Sequence, residues 1–179
     1  MNRRFELVDK KFRTLDDVSV CLPIRGTKNS AGYDFVATKN LIIPPQETVT
    51  FKTDVKAFMQ PDEMLIIDIR SSLGIKKDLM ISNTLGIIDS DFYDNPDNGG
   101  NILIALRNLK PAFKILGTKP LRIGTETFWI PEIEDLQIAN TVKIQAGERV
   151  AQGIFVKFLE ADNCNSDIVR GGGIGSTNA

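Results

Sequence analysis

The sequence predicts an all-β protein, and two observations carry that prediction. Apolar residues come in period-two alternation or in short apolar runs, and clusters of Pro, Gly, Asn and Asp punctuate the chain between them. In order, Leu41-Ile42-Ile43 is a short strand that Pro44-Pro45 separates from the next. Glu47–Val55 alternates apolar and polar residues, as a half-buried strand does. Met64–Ile69 is an apolar run that follows the turn cluster Gln60-Pro61-Asp62-Glu63. Ser71–Asp78 is the one short helix expected, weakened by Gly74. Asn101–Arg107 and Gln152–Phe158 read as further strands. Many short strands with frequent turns imply a sandwich or barrel.

Composition bounds the function. The chain has 179 residues, 42% hydrophobic and 25% charged, as expected of one soluble domain with a real core. A net charge of -1 gives no global attraction to nucleic acid or to an anionic membrane. There is neither an apolar run near the length of a membrane span nor an apolar leader after Met1, so the expectation is a cytoplasmic protein. Histidine is absent, which excludes a Ser-His-Asp triad and any imidazole-ligated zinc. Cys21 and Cys164 stand too far apart for a metal-binding or redox pair. Carboxylates must serve as bases, and a hard cation is the expected metal.

The last ten residues, Arg170–Ala179, hold four glycines, Ser176, Thr177 and an arginine. Glycines turn successive N–H groups around an anion, and arginine suits phosphate geometry. The plainer alternative is a terminus with no fixed role.

Four upstream motifs set the context for that tail: Ala31-Gly32-Tyr33-Asp34, Arg70-Ser71-Ser72-Leu73-Gly74, Gly86-Ile87-Ile88-Asp89-Ser90-Asp91 and Gly147-Glu148-Arg149-Val150-Ala151-Gln152. With the glycine tail they form an ordered series that resembles the five motifs of the trimeric dUTP diphosphatases (dUTPases), over roughly Ser30 to Thr177. The resemblance implies a distorted jelly roll that assembles as a homotrimer with shared active sites. It implies one β domain over residues 1–169, with a mobile glycine-rich arm over 170–179. The activity implied is Mg²⁺-dependent hydrolysis of dUTP to dUMP and pyrophosphate by in-line attack of water on the α-phosphorus.

The roles follow position by position. Asp89 matches the family's general base, although Asp89, Ser90 and Asp91 also suit a plain turn. Arg70, Ser71, Ser72 and Gln152 match phosphate contacts, with Ser71 or Ser72 alternatively a helix N-cap. Asp34 matches an aspartate that organises the magnesium environment through water. The segment from Asn83 through Gly86, Ile87 and Ile88, with the Leu103 backbone, matches the hairpin that reads the uracil edge. Phe92 stands where the family has a tyrosine under the deoxyribose, with Tyr93 next to it. In the arm, Arg170, Gly175, Ser176 and Thr177 match phosphate-wrapping positions. Ile174 replaces an aromatic that stacks on uracil, and so loses the π-specific part of that contact. In the family the arm reaches the site from a third subunit, and the phosphate contacts come from a second.

Two segments exceed the family pattern: the polar turn Phe92–Gly100, by about six residues, and a divergent insertion at about 111–141 that holds Phe128 and Trp129. Long connections of this kind are usually functional or disordered. Some phage-type dUTPases resembling this chain carry an insertion there and bind repressors. A nucleotide-responsive regulatory role with a protein partner at the insertion is therefore one alternative. Folding back of Phe128 and Trp129 as a cap over the trimer is the other expectation for them. dCTP deaminase shares the fold and the Arg-Ser-Ser motif, but its catalytic glutamate falls on Ala105 here.

Overall fold

The computed structural model describes residues 3–14, 21–163, 170 and 172. In chain order the strands are β1 (Arg4–Leu7), β2 (Ile24–Arg25), β3 (Tyr33–Val36), β4 (Leu41–Ile43), β5 (Thr48–Lys52), β6 (Val55–Phe58) and β7 (Glu63–Ile69). After helix α1 (Ser71–Lys77) come β8 (Leu79–Ile81), β9 (Gly86–Asp89), β10 (Leu103–Asn108), β11 (Phe113–Ile123) and β12 (Glu126–Asp135). Helix α2 (Gln137–Asn140) then precedes β13 (Val142–Ile144) and β14 (Arg149–Lys157). The chain is all-β, as expected, with its one predicted helix in place.

A five-stranded antiparallel sheet, β2-β3-β14-β7-β9, forms one wall. A three-stranded sheet, β5-β10-β8, forms the other, and the pairs β13-β4 and β1-β6 complete the jelly roll. Inward residues of both walls make one core, with Phe35 and Leu65 from the first, Ile104 and Leu106 from the second, and Ile43 and Ile144 from β4 and β13. Along β7 the buried residues alternate, Glu63, Leu65 and Ile67, which is the period-two signal of the sequence. Phe5 of β1 packs against Tyr33, Phe35 and Phe155, with ring centroids 5.2–5.6 Å apart, and so ties β1 to the larger sheet.

The strand expected over Glu47–Val55 divides into β5 and β6. The break is at Asp54, which adopts φ 60°. Its carboxylate accepts the Thr14 N–H at 2.9 Å and a side-chain N–H of Asn101 at 3.1 Å, so the chain turns about a buried acid. Neither serine caps α1: the N-cap position is Arg70, without a side-chain cap.

Candidate active site

A pocket of about 610 Å³ lies where the two sheets present their edges to each other. Among the described residues β9 is the last strand of the larger sheet, paired on its β7 side alone. On the other wall, β10 pairs with β8 only through Leu106–Asn108. One more bond, from the Ser82 N–H to the Ala105 carbonyl at 2.8 Å, ends the contact, and Asn83–Leu85 then swings away. The wedge between is lined by Asn83, Gly86, Ile87, Ile88, Phe92 and Leu103, all expected at the site, and by Thr50, Ile81 and Ala105. A flat ring entering it would meet apolar side chains on its faces and sheet-edge backbone at its rim.

Asp89 closes one end of β9 at the pocket wall, and a 3-10 turn, Ser90–Phe92, follows at once. Of the described lining residues, only Asp89 and Arg170 carry ionisable side chains. They meet: Arg170 donates to Asp89 Oδ2 at 2.5 Å and to Asp91 at 2.8 Å. Arg170 therefore lies on Asp89 of its own chain. The Asp89 carboxylate stays about half exposed.

The phosphate-matching residues form a second cluster elsewhere. Asp34 on β3 is nearly buried, and three side chains converge on it. Arg149 donates to it at 3.1 Å, Gln152 at 3.2 Å, and Arg70 pairs with it at 3.4 Å. The strand register explains the meeting, because Gln152 of β14 faces Asp34 on one side and Asp68 of β7 on the other. Gly32 permits it: a Cβ there would stand 3.1 Å from the Gln152 side chain. Ser71 and Ser72 open α1 beside Arg70, both exposed.

These two clusters stand at opposite ends of β7. Asp89 is opposite Met64, whereas Arg70 follows Ile69. Six residues of extended chain separate Met64 from Arg70, about 20 Å at ~3.3 Å per residue. One chain brings together the uracil-matching positions, Asp89, Phe92 and Arg170; it brings together separately Asp34, Arg70 and Gln152. Ile174, Gly175, Ser176 and Thr177 lie outside the described residues.

Residues 19–115 match the dUTPase family model. Over 179 residues the chain is 35% identical to the deoxyuridine 5'-triphosphate nucleotidohydrolase of Lactococcus lactis, covering 99% of this chain and 98% of that protein. The chain belongs to the dUTPase family. The like-named protein of Wolinella succinogenes is 29% identical over 178 residues, with 96% and 97% covered. The crystal structure of dUTPase from Streptococcus mutans superposes with a TM-score of 0.62 at 33% identity, over 88% of this chain and 98% of that one. A mutant dUTPase from phage phi11 of S. aureus, described as coordinating a structural Mg(II) ion, is alike in fold at TM-score 0.61 and 22% identity, over 94% and 98%.

Within this dUTPase fold Phe92 and Tyr93 point in different directions. Phe92 is buried and lines the pocket. Tyr93 points away: its hydroxyl donates to Glu6, and its ring packs edge-on to Phe58 at 5.4 Å. Removal from water raises the Tyr93 pKa, and the bond to Glu6 adds to that. Sequence reasoning missed Asp91 and Asn95 as partners of the arm. The surplus of Asn and Asp in the lengthened turn was the available signal, since such side chains bond to nearby backbone.

Proposed function

We propose that this dUTPase hydrolyses dUTP to dUMP and pyrophosphate, with water attacking the α-phosphorus in line and Asp89 as general base. The observation that carries the reading is Asp89 itself, the one carboxylate among the described residues on the wall of a pocket made mostly of apolar side chains and sheet-edge backbone. The names of the relatives supply the substrate. Backbone groups at Asn83, Gly86 and Leu103 read the uracil edge, and Phe92 packs beneath the deoxyribose. Arg170 engages Asp89 Oδ2, and Oδ1 takes the proton of the attacking water. Phosphoryl chemistry asks the protein chiefly for positioning and charge, so one oriented carboxylate suffices. Ala105 stands on the pocket wall without a proton-transferring side chain, which argues against deamination.

Magnesium fits this donor set as an ion carried by the substrate. No group of three Asp, Glu, Cys or His side chains that could cage a metal occurs among the described residues. Asp34 is already committed to two guanidinium groups. Mg²⁺ would therefore be held by triphosphate oxygens and water, where it neutralises phosphate charge, with Asp34 contributing through water or through the Arg70 and Gln152 that it holds.

The separation along β7 supports sites shared between chains, one supplying Asp89 and a neighbour Arg70 and Gln152, and the family resemblance makes that assembly a homotrimer. A nucleotide panel read for both pyrophosphate and ammonia tests the chemistry. Pyrophosphate from dUTP, with dCTP, dTTP and UTP poor substrates, is expected; ammonia from dCTP at a comparable rate would sink the reading. Co-refolding tests the assembly. Asp89→Asn and Arg70→Ala chains, each inactive alone, should together regain roughly a quarter of wild-type activity if protomers mix at random. No recovery would mean that each chain completes its own site.

A second role alongside catalysis is favoured by the β11-β12 hairpin. Cross-strand register puts Ile115, Pro120, Trp129 and Ile133 on one face, and Trp129 is 69% exposed. An apolar face left uncovered by the described residues suits a protein-binding surface. A chain lacking the hairpin that still bound the same protein partner would refute this.

A further inference from the structure

We infer that Tyr93 is a positioning residue for the sugar subsite, seated on the N-terminal strand so that Phe92 cannot recede from the pocket. Phe92 carries no polar side-chain atom, so it has no handle of its own by which the fold can fix its depth. Its place is set through the main chain, and the residue next to it is clamped. On the β1-β6 ribbon Arg4 lies opposite Phe58 and Glu6 opposite Lys56, so alternation puts all four on one face. Tyr93 rests on that face. Its hydroxyl donates to Glu6 and accepts from Arg4 at 3.5 Å. Its ring meets Phe58 edge-on, with the Lys56 ammonium 4.8 Å from its centre. Glu6 is held below its ordinary pKa, first by the Tyr93 hydroxyl and then by Arg4, and so remains a charged acceptor at neutral pH. The following residue is tied as well: Asp94 pairs with Lys56, which is buried.

The clamp is anchored on both sides. On the opposite face of the ribbon, Phe5 packs among Tyr33, Phe35 and Phe155, which fixes the seat of Tyr93 to the larger sheet. Downstream, the lengthened turn folds back on Phe92 and is itself rigid. The Phe92 carbonyl accepts the Asn95 N–H at 3.2 Å, and the Asn95 carbonyl accepts the Gly99 N–H at 2.7 Å. The Asn95 side-chain oxygen accepts the Asp97 N–H at 3.0 Å, and that of Asn98 accepts the Gly100 N–H at 3.0 Å. Gly100, at φ 74°, lies so close that a Cβ would stand 2.8 Å from the Phe92 carbonyl. The Phe12 ring closes on Gly99, in the space that a Cβ there would need. The extra length of the turn thus has a use, since it and the N-terminal segment grip the main chain on which Phe92 stands. A phenyl ring fixed beneath the sugar leaves a 2′-OH neither room nor a hydrogen-bond partner, whereas a ring free to sink would admit it together with water.

The kinetic consequence rests on the proposed dUTP hydrolysis with Phe92 beneath the deoxyribose, and the structural one does not, so two readouts are paired. The first is the ratio of kcat/KM for dUTP to that for UTP on one preparation, in which any loss of folded protein cancels. Tyr93→Phe removes the hydroxyl and Glu6→Ala its acceptor. Each should lower the ratio by about 3–10-fold, and the double variant should lower it no further. Glu6→Gln keeps a side-chain oxygen for the hydroxyl and should recover most of the ratio that Glu6→Ala loses. The second readout is amide hydrogen exchange of nucleotide-free protein over residues 90–95. It should speed by about 5–10-fold in Tyr93→Phe and Glu6→Ala while β10 stays protected. An unchanged ratio or unchanged exchange in both single variants would overturn the positioning role, as would a double variant whose losses multiply. If the wild type hydrolyses no dUTP, the functional reading fails, and exchange alone decides whether Tyr93 clamps the turn.

Discussion

The turn Phe92–Gly100 and the hairpin β11-β12 both lengthen the family pattern, yet the fold takes one inside and leaves the other outside. The turn is polar, and it is packed: Asn95 is buried, as is Asn101 just beyond it, and their amides are bonded to backbone and to Asp54. The hairpin is rich in Ile, Leu, Phe and Trp, and its residues are exposed along both strands except Ile130, which is half-buried. Composition alone would have placed them the other way round. What decides is connectivity. A turn between β9 and β10 starts and ends at the core, and its polar groups can be buried because partners are within reach. Among the described residues the β11-β12 hairpin pairs only with itself, and none of them covers its apolar face.

The largest expected difference between the two regions is catalytic. Asp89 leads into the turn, and Asp89→Asn should lower kcat by about 10²–10⁴-fold while dUTP binding persists, because an amide cannot take the water's proton. The matched change in the hairpin, Glu132→Gln, should leave turnover at the wild-type value. Steady-state assays of both, with circular dichroism to confirm folding, make the comparison. A near-normal Asp89→Asn would move the base elsewhere.

Stability should follow the same division. Asn101 is fully buried and makes three side-chain hydrogen bonds, to the Phe12 carbonyl, the Asp54 carboxylate and the Asp54 N–H. Asn101→Ala should cost about 3 kcal/mol, a Tm drop of roughly 6–12 °C for a chain of this size. A smaller contrast comes from two glycines at positive φ. Gly100→Ala would press its Cβ on the Phe92 carbonyl and the Asp94 N–H, whereas Gly124, in the hairpin turn, has nothing within 4 Å. Both pay for left-handed backbone, at about 1 kcal/mol, and only Gly100→Ala adds a clash with main chain that cannot swing away, for about 2–3 kcal/mol in all. Equal Tm shifts in the two variants would show that the turn is not the rigid body described.

Much of this was legible in the sequence. Alternation in Glu47–Val55 announced a strand, and the motifs singled out Arg70, Asp89 and Gln152 for the roles proposed above. The division of that strand at Asp54 was not, because it depends on Thr14 and Asn101, far off in sequence, reaching one buried acid. Phe92 was the matched position with Tyr93 beside it, but their opposite directions, one ring lining the pocket and the other against Phe58, depend on the 3-10 turn. The separation of Arg70 from Asp89 was equally hidden. The motifs carry no strand register, and register is what puts Asp89 opposite Met64 at the far end of β7 from Arg70.

The smallest expected effect is that of removing the hairpin altogether. Its base is already closed: the Leu136 N–H donates to the Ala112 carbonyl at 2.9 Å. Asn108 and Asn140 tie the flanking segment to the core, through the Asn140 and Pro111 carbonyls, each at 2.9 Å. Residues 113–135 can therefore be replaced by Asn-Gly, a pair suited to so tight a connection, without parting Ala112 from Leu136. Since β11 and β12 pair with no other strand among the described residues, the loss should shift Tm by less than ~2 °C and turnover by less than ~2-fold. A protein partner held by the Trp129 face would be lost in the same variant, which separates binding from catalysis in one molecule. The competing expectation, that Phe128 and Trp129 fold over a neighbouring subunit as a cap, makes the opposite forecast. Deletion would then lower Tm in a concentration-dependent manner and shift the trimer toward monomers, which light scattering reads directly.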